Sequence, residues 1–220
     1  MTQRPAWPLP PVARINDFLP RDEHRALLEW VLGNEELFRP SKLIINDGPA
    51  MKSLVDPEFR LSMTTRKLGA LAPGLEQRMR EALPALEQAI GAKTGATSIE
   101  LELAAHGDGA HYGRHVDMQY GEDRQPVGAR PGEDRVLSAV YYFHREPKRF
   151  SGGALRLYRF NIRPARGTPT AEDYVDIEPA QNSLVAFAPW VTHEVRPVTC
   201  PSQKFEDYRF ALNCWFCRKL

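Results

Sequence analysis

Helical periodicity in the first hundred residues, followed by a run of short period-two segments, predicts an α+β chain whose second part is a sandwich or barrel. Two amphipathic stretches support the first half of that expectation, and about eight short alternating segments support the second. A third observation ties the fold to chemistry: His115 and Asp117 stand two residues apart within the strand region.

Residues 1–12 are rich in Pro and read as an extended arm laid on the surface. A helix is expected from Arg21 or Asp22, with Leu27, Leu28, Val31 and Leu32 as its apolar stripe and Gly33-Asn34 as its stop. Residues 35–66 mix short apolar runs with turn signals such as Asn46-Asp47-Gly48-Pro49, and predict short strands and a mobile loop. A second helix follows through Leu71, Leu75, Met79, Leu83, Leu86 and Ile90. Pro84 is expected to kink or restart it, and Gly91 to end it. Both helices are one-sided, so they should cover a sheet.

From residue 97 the period changes to two. Ile99, Leu101 and Leu103 alternate with Glu100 and Glu102, a half-buried strand. A Gly-rich turn at 106–109 leads to the His115 strand, and 119–134 reads as a solvated loop holding the first of two GEDR sequences. Further strands are expected at 135–144, 153–160, 174–177, 183–188, 193–198 and 208–216, with a polar loop at 161–172. Residues 1–220 are taken as one domain, 1–95 supplying the arm and supporting helices and 96–220 the catalytic core.

The composition narrows the function. Charged residues make up 26% and the net charge is +1, so no bulk field recruits nucleic acid or an anionic membrane. No run approaches the roughly 18 apolar residues of a membrane span, and no signal-like apolar segment opens the chain. Three Cys, an odd number, suit reduced thiols and a cytoplasmic location. Cys214 and Cys217 lie three apart on a strand, facing opposite ways, which argues against a zinc or redox pair.

On a strand, residues i and i+2 point the same way, so His115 and Asp117 offer an imidazole and a carboxylate to one point. A second His would complete a facial 2-His-1-carboxylate set with open positions for a co-substrate and O2. His193, which begins a strand after the turn at Ala188-Pro189-Trp190, is the best candidate, although a structural role is the plain alternative. His24 and His144 read as solvated, and His106 and His111 as neighbours of the site. Arg209 shares one strand face with Ala211, Asn213 and Trp215, while Phe210, Leu212, Cys214 and Phe216 form the other. An inward Arg needs an anionic partner, either a dicarboxylic co-substrate or a protein acid. Tyr142, on an inward face, either shares that carboxylate or fills the core.

Five motifs then occur in order: Gly113-Arg114-His115-Val116-Asp117, RVLSAVYYF (135–143), FSGGALRLY (150–158), NSLVAF followed five residues later by HEV (182–195), and RFALNCWF (209–216). Together, over residues 97–217, they resemble the 2-oxoglutarate/Fe(II) dioxygenases, and most closely their prolyl-4-hydroxylase-like branch. The resemblance implies a double-stranded β-helix (jelly-roll) with the N-terminal helices packed on the major sheet. It implies Fe(II) on His115, Asp117 and His193, and 2-oxoglutarate with its distal carboxylate on Arg209. Tyr142 would assist that carboxylate, Leu155, Val195 and Trp215 would wall the pocket, and ascorbate would be a candidate auxiliary. The implied reaction is hydroxylation of an unactivated C–H bond with release of succinate and CO2, on a prolyl or other amino-acid-like substrate, either a peptide or a small molecule. Two departures stand out. Ala105 beside His106 falls where relatives often carry a Tyr, and the gap from His193 to Arg209 is long.

Three other readings are open at this stage. They are a cupin-like oxygenase that does not use 2-oxoglutarate, a non-catalytic jelly-roll binding protein, and a nucleic-acid demethylase. The last is disfavoured because position 215 is Trp and no basic aromatic groove is visible. Arg124, Arg130, Arg163 and Arg166 in the loops are expected at the mouth of the site.

Overall fold

The computed structural model describes residues 9–47, 50–120, 126–127, 132–159 and 174–220. In chain order, β1 (Val12–Asn16) precedes α1 (Arg21–Leu32). Five short strands follow: β2 (Arg39–Pro40), β3 (Leu43–Asp47), β4 (Ala50–Leu54), β5 (Arg60–Leu61) and β6 (Met63–Thr65). After α2 (Ala72–Ile90) come β7 (Ser98–His106), β8 (His111–His115), β9 (Gln119–Tyr120), β10 (Pro126–Val127) and β11 (Glu133–Phe143). The chain continues through β12 (Ser151–Gly152), β13 (Leu155–Tyr158), β14 (Tyr174–Ile177), β15 (Ser183–Phe187), β16 (His193–Val195), β17 (Val198–Thr199) and β18 (Arg209–Lys219).

Two antiparallel sheets dominate. The major one runs β1-β15-β11-β18-β7-β6-β2 and the minor one β14-β13-β16-β8-β5. Tyr142 and Ala211 of the major sheet pack with Leu155 and Leu157 of the minor one, so the two sheets face each other. This is the double-stranded β-helix that the resemblance implies. Both helices cover the opposite face of the major sheet, as their one-sided stripes require. Leu27, Val31, Leu75, Met79 and Leu86 are buried against Leu101, Leu103, Leu137, Leu212 and Phe216.

α2 runs through Pro84 as one element, against the expected kink or restart. A Pro in a helix interior costs about 3 kcal/mol. Each fully buried Leu or Met returns roughly 1.5–3 kcal/mol, and three of them lie on the same helix face on both sides of the Pro. Burial therefore wins. Gly91 ends the helix at φ 76°, a left-handed cap that Gly adopts without steric cost.

Other expectations need correction. Val12, the last residue of the expected extended arm, opens an edge strand in full register with β15, and residues 1–8 of that arm lie outside the described residues. Glu133 and Asp134 begin β11 and do not belong to a solvated loop. His24 is not simply solvated. Its Nδ1–H donates to the Tyr141 hydroxyl at 2.7 Å, which donates to Asn182 Oδ1 at 2.8 Å, tying α1 to the sheet. His144 is buried, edge-on to Phe150. Among the described residues, no helix is long and apolar enough to cross a membrane.

Candidate active site

The inner face of the major sheet is a ladder of cross-strand pairs. From β18 to β7 they run Arg209/His106, Ala211/Ala104, Asn213/Glu102 and Trp215/Glu100. With about 3.4 Å per residue, the ladder climbs roughly 20 Å from Arg209 to Trp215. The minor sheet closes over it, leaving a cavity of about 630 Å³. All eight site residues expected from sequence line this cavity: His115, Asp117, His193, Arg209, Tyr142, Leu155, Val195 and Trp215.

His115 and His193 stand opposite each other on β8 and β16. Their rings lie 4.1 Å apart between centroids. Asp117 does not share the β8 strand, as alternation predicted; it follows in a bend. The bend is held because the Asp117 and Met118 N–H groups both donate to the Pro189 carbonyl, at 2.9 and 3.1 Å. The outcome is nevertheless convergent. One ligand atom from each of the three residues lies within 4.8 Å of the others, so the group could hold a metal ion.

The surrounding bonds suit that task. His115 Nδ1–H donates to the Gly113 carbonyl and His193 Nδ1–H to the Val191 carbonyl, each at 2.8 Å. A carbonyl only accepts, so the tautomer is fixed and both Nε2 lone pairs face the cavity. Burial, with the neighbouring His193 ring, pushes the His115 imidazole down to about 3. Burial would raise the Asp117 carboxyl, but His193, His115 and Arg135 and the Ser138 hydroxyl outweigh it and hold it at about 2. A neutral imidazole and an ionised carboxylate are the forms that bind metal. Ser138 donates to Asp117 Oδ2 at 2.6 Å and fixes the carboxylate plane. Tyr112 stacks on His115 at 3.6 Å with an 18° interplanar angle and fixes the ring.

At the deep end, Arg209 is 1% exposed. No carboxylate pairs with it among the described residues; Nη1–H donates to His106 Nδ1 at 3.1 Å, and Nε is buried without an acceptor. Burial pulls its pKa below the usual guanidinium value, with Tyr142 opposing. His106 is held neutral, its pKa pushed well below 6.5 by burial and then by Arg209 and Arg60. The Tyr142 hydroxyl is buried with no hydrogen-bond partner among the described residues. Gly153 makes room for this arrangement: at φ 72°, a Cβ there would come within 2.6 Å of Arg209 Cδ. The Ala104/Ala211 rung above leaves open space. A buried cation and an idle hydroxyl beyond a small-residue rung fit the distal carboxylate of 2-oxoglutarate, and the His/Asp/His donor set fits Fe(II).

Several contributors were not singled out from sequence. His106 was left as a neighbour, yet it shares the inward parity of Glu100, Glu102 and Ala104. Ser138 shares the inward parity of Tyr142. Glu100 and Glu102 read as the wet side of a half-buried strand, but both are buried, and Glu102 lines the cavity. Trp215 stands at the mouth, with Arg135 at 4.0 Å and Arg66 at 5.7 Å from its ring, and not beside Arg209. His111 bonds the Gly109 and Glu58 carbonyls and does not join the metal group. Arg124, Arg130, Arg163 and Arg166 lie outside the described residues.

A jelly-roll with a 2-His-1-carboxylate group above a buried Arg defines a non-haem iron oxygenase architecture. Residues 101–217 match the sequence model of the 2OG-Fe(II) oxygenase superfamily, and the chain belongs to that family, whose cofactor is Fe(II) and whose co-substrate is 2-oxoglutarate. The chain is 30% identical over 207 residues to the PKHD-type hydroxylase sll0191 of Synechocystis, covering 94% of this chain and 63% of that protein. The chain thus spans under two thirds of that relative's length. Among solved structures, a Pseudomonas putida prolyl-4-hydroxylase superposes with a TM-score of 0.63 at 22% identity, over 96% of this chain and 94% of that one. A prolyl hydroxylase from Trichoplax adhaerens, in complex with a hypoxia inducible factor oxygen degradation domain peptide, gives 0.65 at 19% identity, over 94% and 83%. At these identities the structural likeness speaks to the fold.

Proposed function

We propose that this chain is a hydroxylase that binds Fe(II) through His115, Asp117 and His193 and anchors 2-oxoglutarate through Arg209, oxidising an unactivated C–H bond of a prolyl or similar amino-acid-like group in a peptide or small molecule. The observation that carries the reading is Arg209: a fully buried guanidinium with no carboxylate partner among the described residues, at the end of a cavity that opens onto the triad. An uncompensated buried charge costs several kcal/mol, so a site that keeps one is built for an anion. A protein acid in its place would have supported an oxygenase independent of 2-oxoglutarate; its described partner is a neutral His.

Bound iron and 2-oxoglutarate supply the redox chemistry, in which O2 converts the keto acid to succinate and CO2 and delivers one oxygen atom to the substrate. The protein's part is binding, orientation and exclusion of water. Arg209 offers a planar fork to the distal carboxylate, and Tyr142 offers an O–H. His106 Nδ1 accepts a hydrogen bond from the guanidinium Nη1–H and so aims the fork. Leu155, Val195 and Trp215 line the cavity, and Ser138 and Tyr112 keep two ligands in place. The prolyl hydroxylases of P. putida and T. adhaerens, which share the fold, support the prolyl-type substrate class, and the PKHD-type hydroxylase relative supports hydroxylation.

The shared apolar core between helices and major sheet supports treating residues 1–95 and 96–220 as one catalytic unit. The odd number of cysteines, three, supports a cytoplasmic setting, and ascorbate is proposed as an auxiliary reductant. The test is anaerobic titration with Fe(II) and then 2-oxoglutarate, followed by the metal-to-ligand charge-transfer absorbance. Oxygen uptake that depends on both, and rises with a prolyl peptide, is the expected result. Uptake independent of 2-oxoglutarate would refute the assignment.

A further inference from the structure

The upper rungs of the ladder hold charge that neither the metal nor the co-substrate uses. Glu102 is held on both oxygens, by Arg60 Nη2 at 2.9 Å and by Arg66 Nε at 3.1 Å. Glu100 is held by Arg135 Nη2 at 2.9 Å, with Arg66 Nη1 at 3.7 Å. Among the described residues, three guanidinium groups thus share these two carboxylates, and Arg66 has no acid there that it does not share. Arg60 Nε is buried without an acceptor among the described residues. Lys42 and Arg114 add positive charge to the same cavity wall.

Position matters as much as sign. The Arg60 guanidinium lies 4.6 Å over the Tyr112 ring, which is itself stacked on the metal-site residue His115. An anionic group docked on Arg60 would therefore hold the rest of its molecule over the triad. A surplus cation in a low-dielectric cleft focuses the field there. A guanidinium fork rewards a carboxylate with paired, charge-assisted bonds, which no neutral group reproduces.

We infer that the Arg60–Arg66 bank at the cavity mouth recognises a carboxylate on the substrate, so that this enzyme acts on an anionic molecule or acidic segment. The inference rests on the function proposed above, and the experiment separates the two. Protein is loaded with Mn(II) and saturating 2-oxoglutarate, which occupies the Arg209 end. Benzoate and benzamide, one ring with and without the charge, are then titrated while the paramagnetic relaxation of their ring protons is followed.

Benzoate should show saturable enhancement with 2-oxoglutarate present, and benzamide should bind about tenfold more weakly. Arg60→Gln and Arg66→Gln should each weaken benzoate by about tenfold while 2-oxoglutarate affinity holds. If Arg60→Gln does not fold, the half-exposed Arg66 position decides. Equal binding of benzamide, benzoate binding only when 2-oxoglutarate is absent, or unchanged benzoate affinity in the folded variants would overturn the inference. Failure of Mn(II) or 2-oxoglutarate to bind at the first step would instead overturn the proposed function.

Discussion

The two ends of one cavity treat charge in opposite ways. At the deep end a single guanidinium, Arg209, is buried among a neutral His, an idle Tyr hydroxyl and alanines, with no acid among the described residues. At the mouth, Arg60, Arg66 and Arg135 are knitted to Glu100 and Glu102. The mouth is mostly satisfied by the protein: its two glutamates hold the arginines in place, and only the surplus guanidinium is open to a ligand. The deep end is left unsatisfied, and its charge is held for a ligand. The difference shows that burial of a charged group is not by itself a sign of function; the missing partner is.

The largest effect should come from the triad that divides these ends. His193→Ala, His115→Ala or Asp117→Ala should abolish turnover and metal binding while the far-ultraviolet circular dichroism stays as in wild type. Among the described residues, the bonds of the neighbouring Arg209 and glutamate clusters run to His106, Arg60, Arg66 and Arg135 and not to the triad. Wild-type turnover in His193→Ala would sink the triad and, with it, the division of the cavity.

Next in size is Arg209, where the comparison can be broken outright. Arg209→Ala should cost roughly 3–5 kcal/mol of 2-oxoglutarate binding, a few hundred- to a few thousand-fold in affinity. Arg209→Lys keeps the charge but not the fork, and should lose moderately. Stability should move little in either variant, because relief of an uncompensated buried charge offsets the packing and the His106 bond that are lost. Arg135→Ala should do the reverse. It strips a charge-assisted bond from buried Glu100, costing roughly 1.5–3 kcal/mol of stability, and leaves 2-oxoglutarate affinity near wild type. Thermal melts and charge-transfer titrations on both variants read the two signs. If Arg209→Ala melts as low as Arg135→Ala, the deep end is structural after all.

A smaller effect isolates the positioning of the metal. Ser138→Ala removes the hydroxyl that fixes Asp117. Outer-shell losses of this kind cost about 10- to 100-fold in metal affinity, so Mn(II) should bind that much more weakly while the Arg209 end is untouched. Ser138→Thr, which keeps the hydroxyl, should recover part of the loss. Wild-type Mn(II) affinity in Ser138→Ala would show that the Pro189 contacts alone orient Asp117.

These residues also mark how far the sequence could be read. Parity along a strand was legible, because inward and outward residues differ by one position. Phe210, Leu212, Cys214 and Phe216 face the helices, and Arg209, Ala211, Asn213 and Trp215 face the cavity. Parity does not say whether a polar face meets water or a buried partner, so Glu100 and Glu102 looked solvated. Their partners come from residues about 35 to 42 positions away. The Asp117 bend was illegible for the same reason: it hangs on a carbonyl in the distant turn after β15. The edge strand β1 and the His24–Tyr141–Asn182 bridge likewise depend on pairings across the whole chain.

Tyr142 gives the smallest expected effect and the finest discrimination. Its hydroxyl is buried, its pKa is raised by burial, and it has no hydrogen-bond partner among the described residues. A tyrosine retained for the core would be expected to satisfy that hydroxyl, and its loss would then cost about 1 kcal/mol of stability. Here the hydroxyl is buried beside the Arg209 charge but without a hydrogen bond of normal geometry. Tyr142→Phe should therefore leave the melting temperature unchanged or raise it slightly, because an unsatisfied polar atom is removed and the ring still packs with Leu155 and Ala211. In the same variant 2-oxoglutarate should bind about fivefold more weakly, the worth of one hydrogen bond of about 1 kcal/mol. The guanidinium of Arg209, at 4.9 Å from the ring, would keep its cation–π contact and most of the affinity. Stability and affinity thus move in opposite directions only if the hydroxyl serves the ligand. A lowered melting temperature with unchanged 2-oxoglutarate affinity would return Tyr142 to the core and leave Arg209 as the carboxylate's anchor without it.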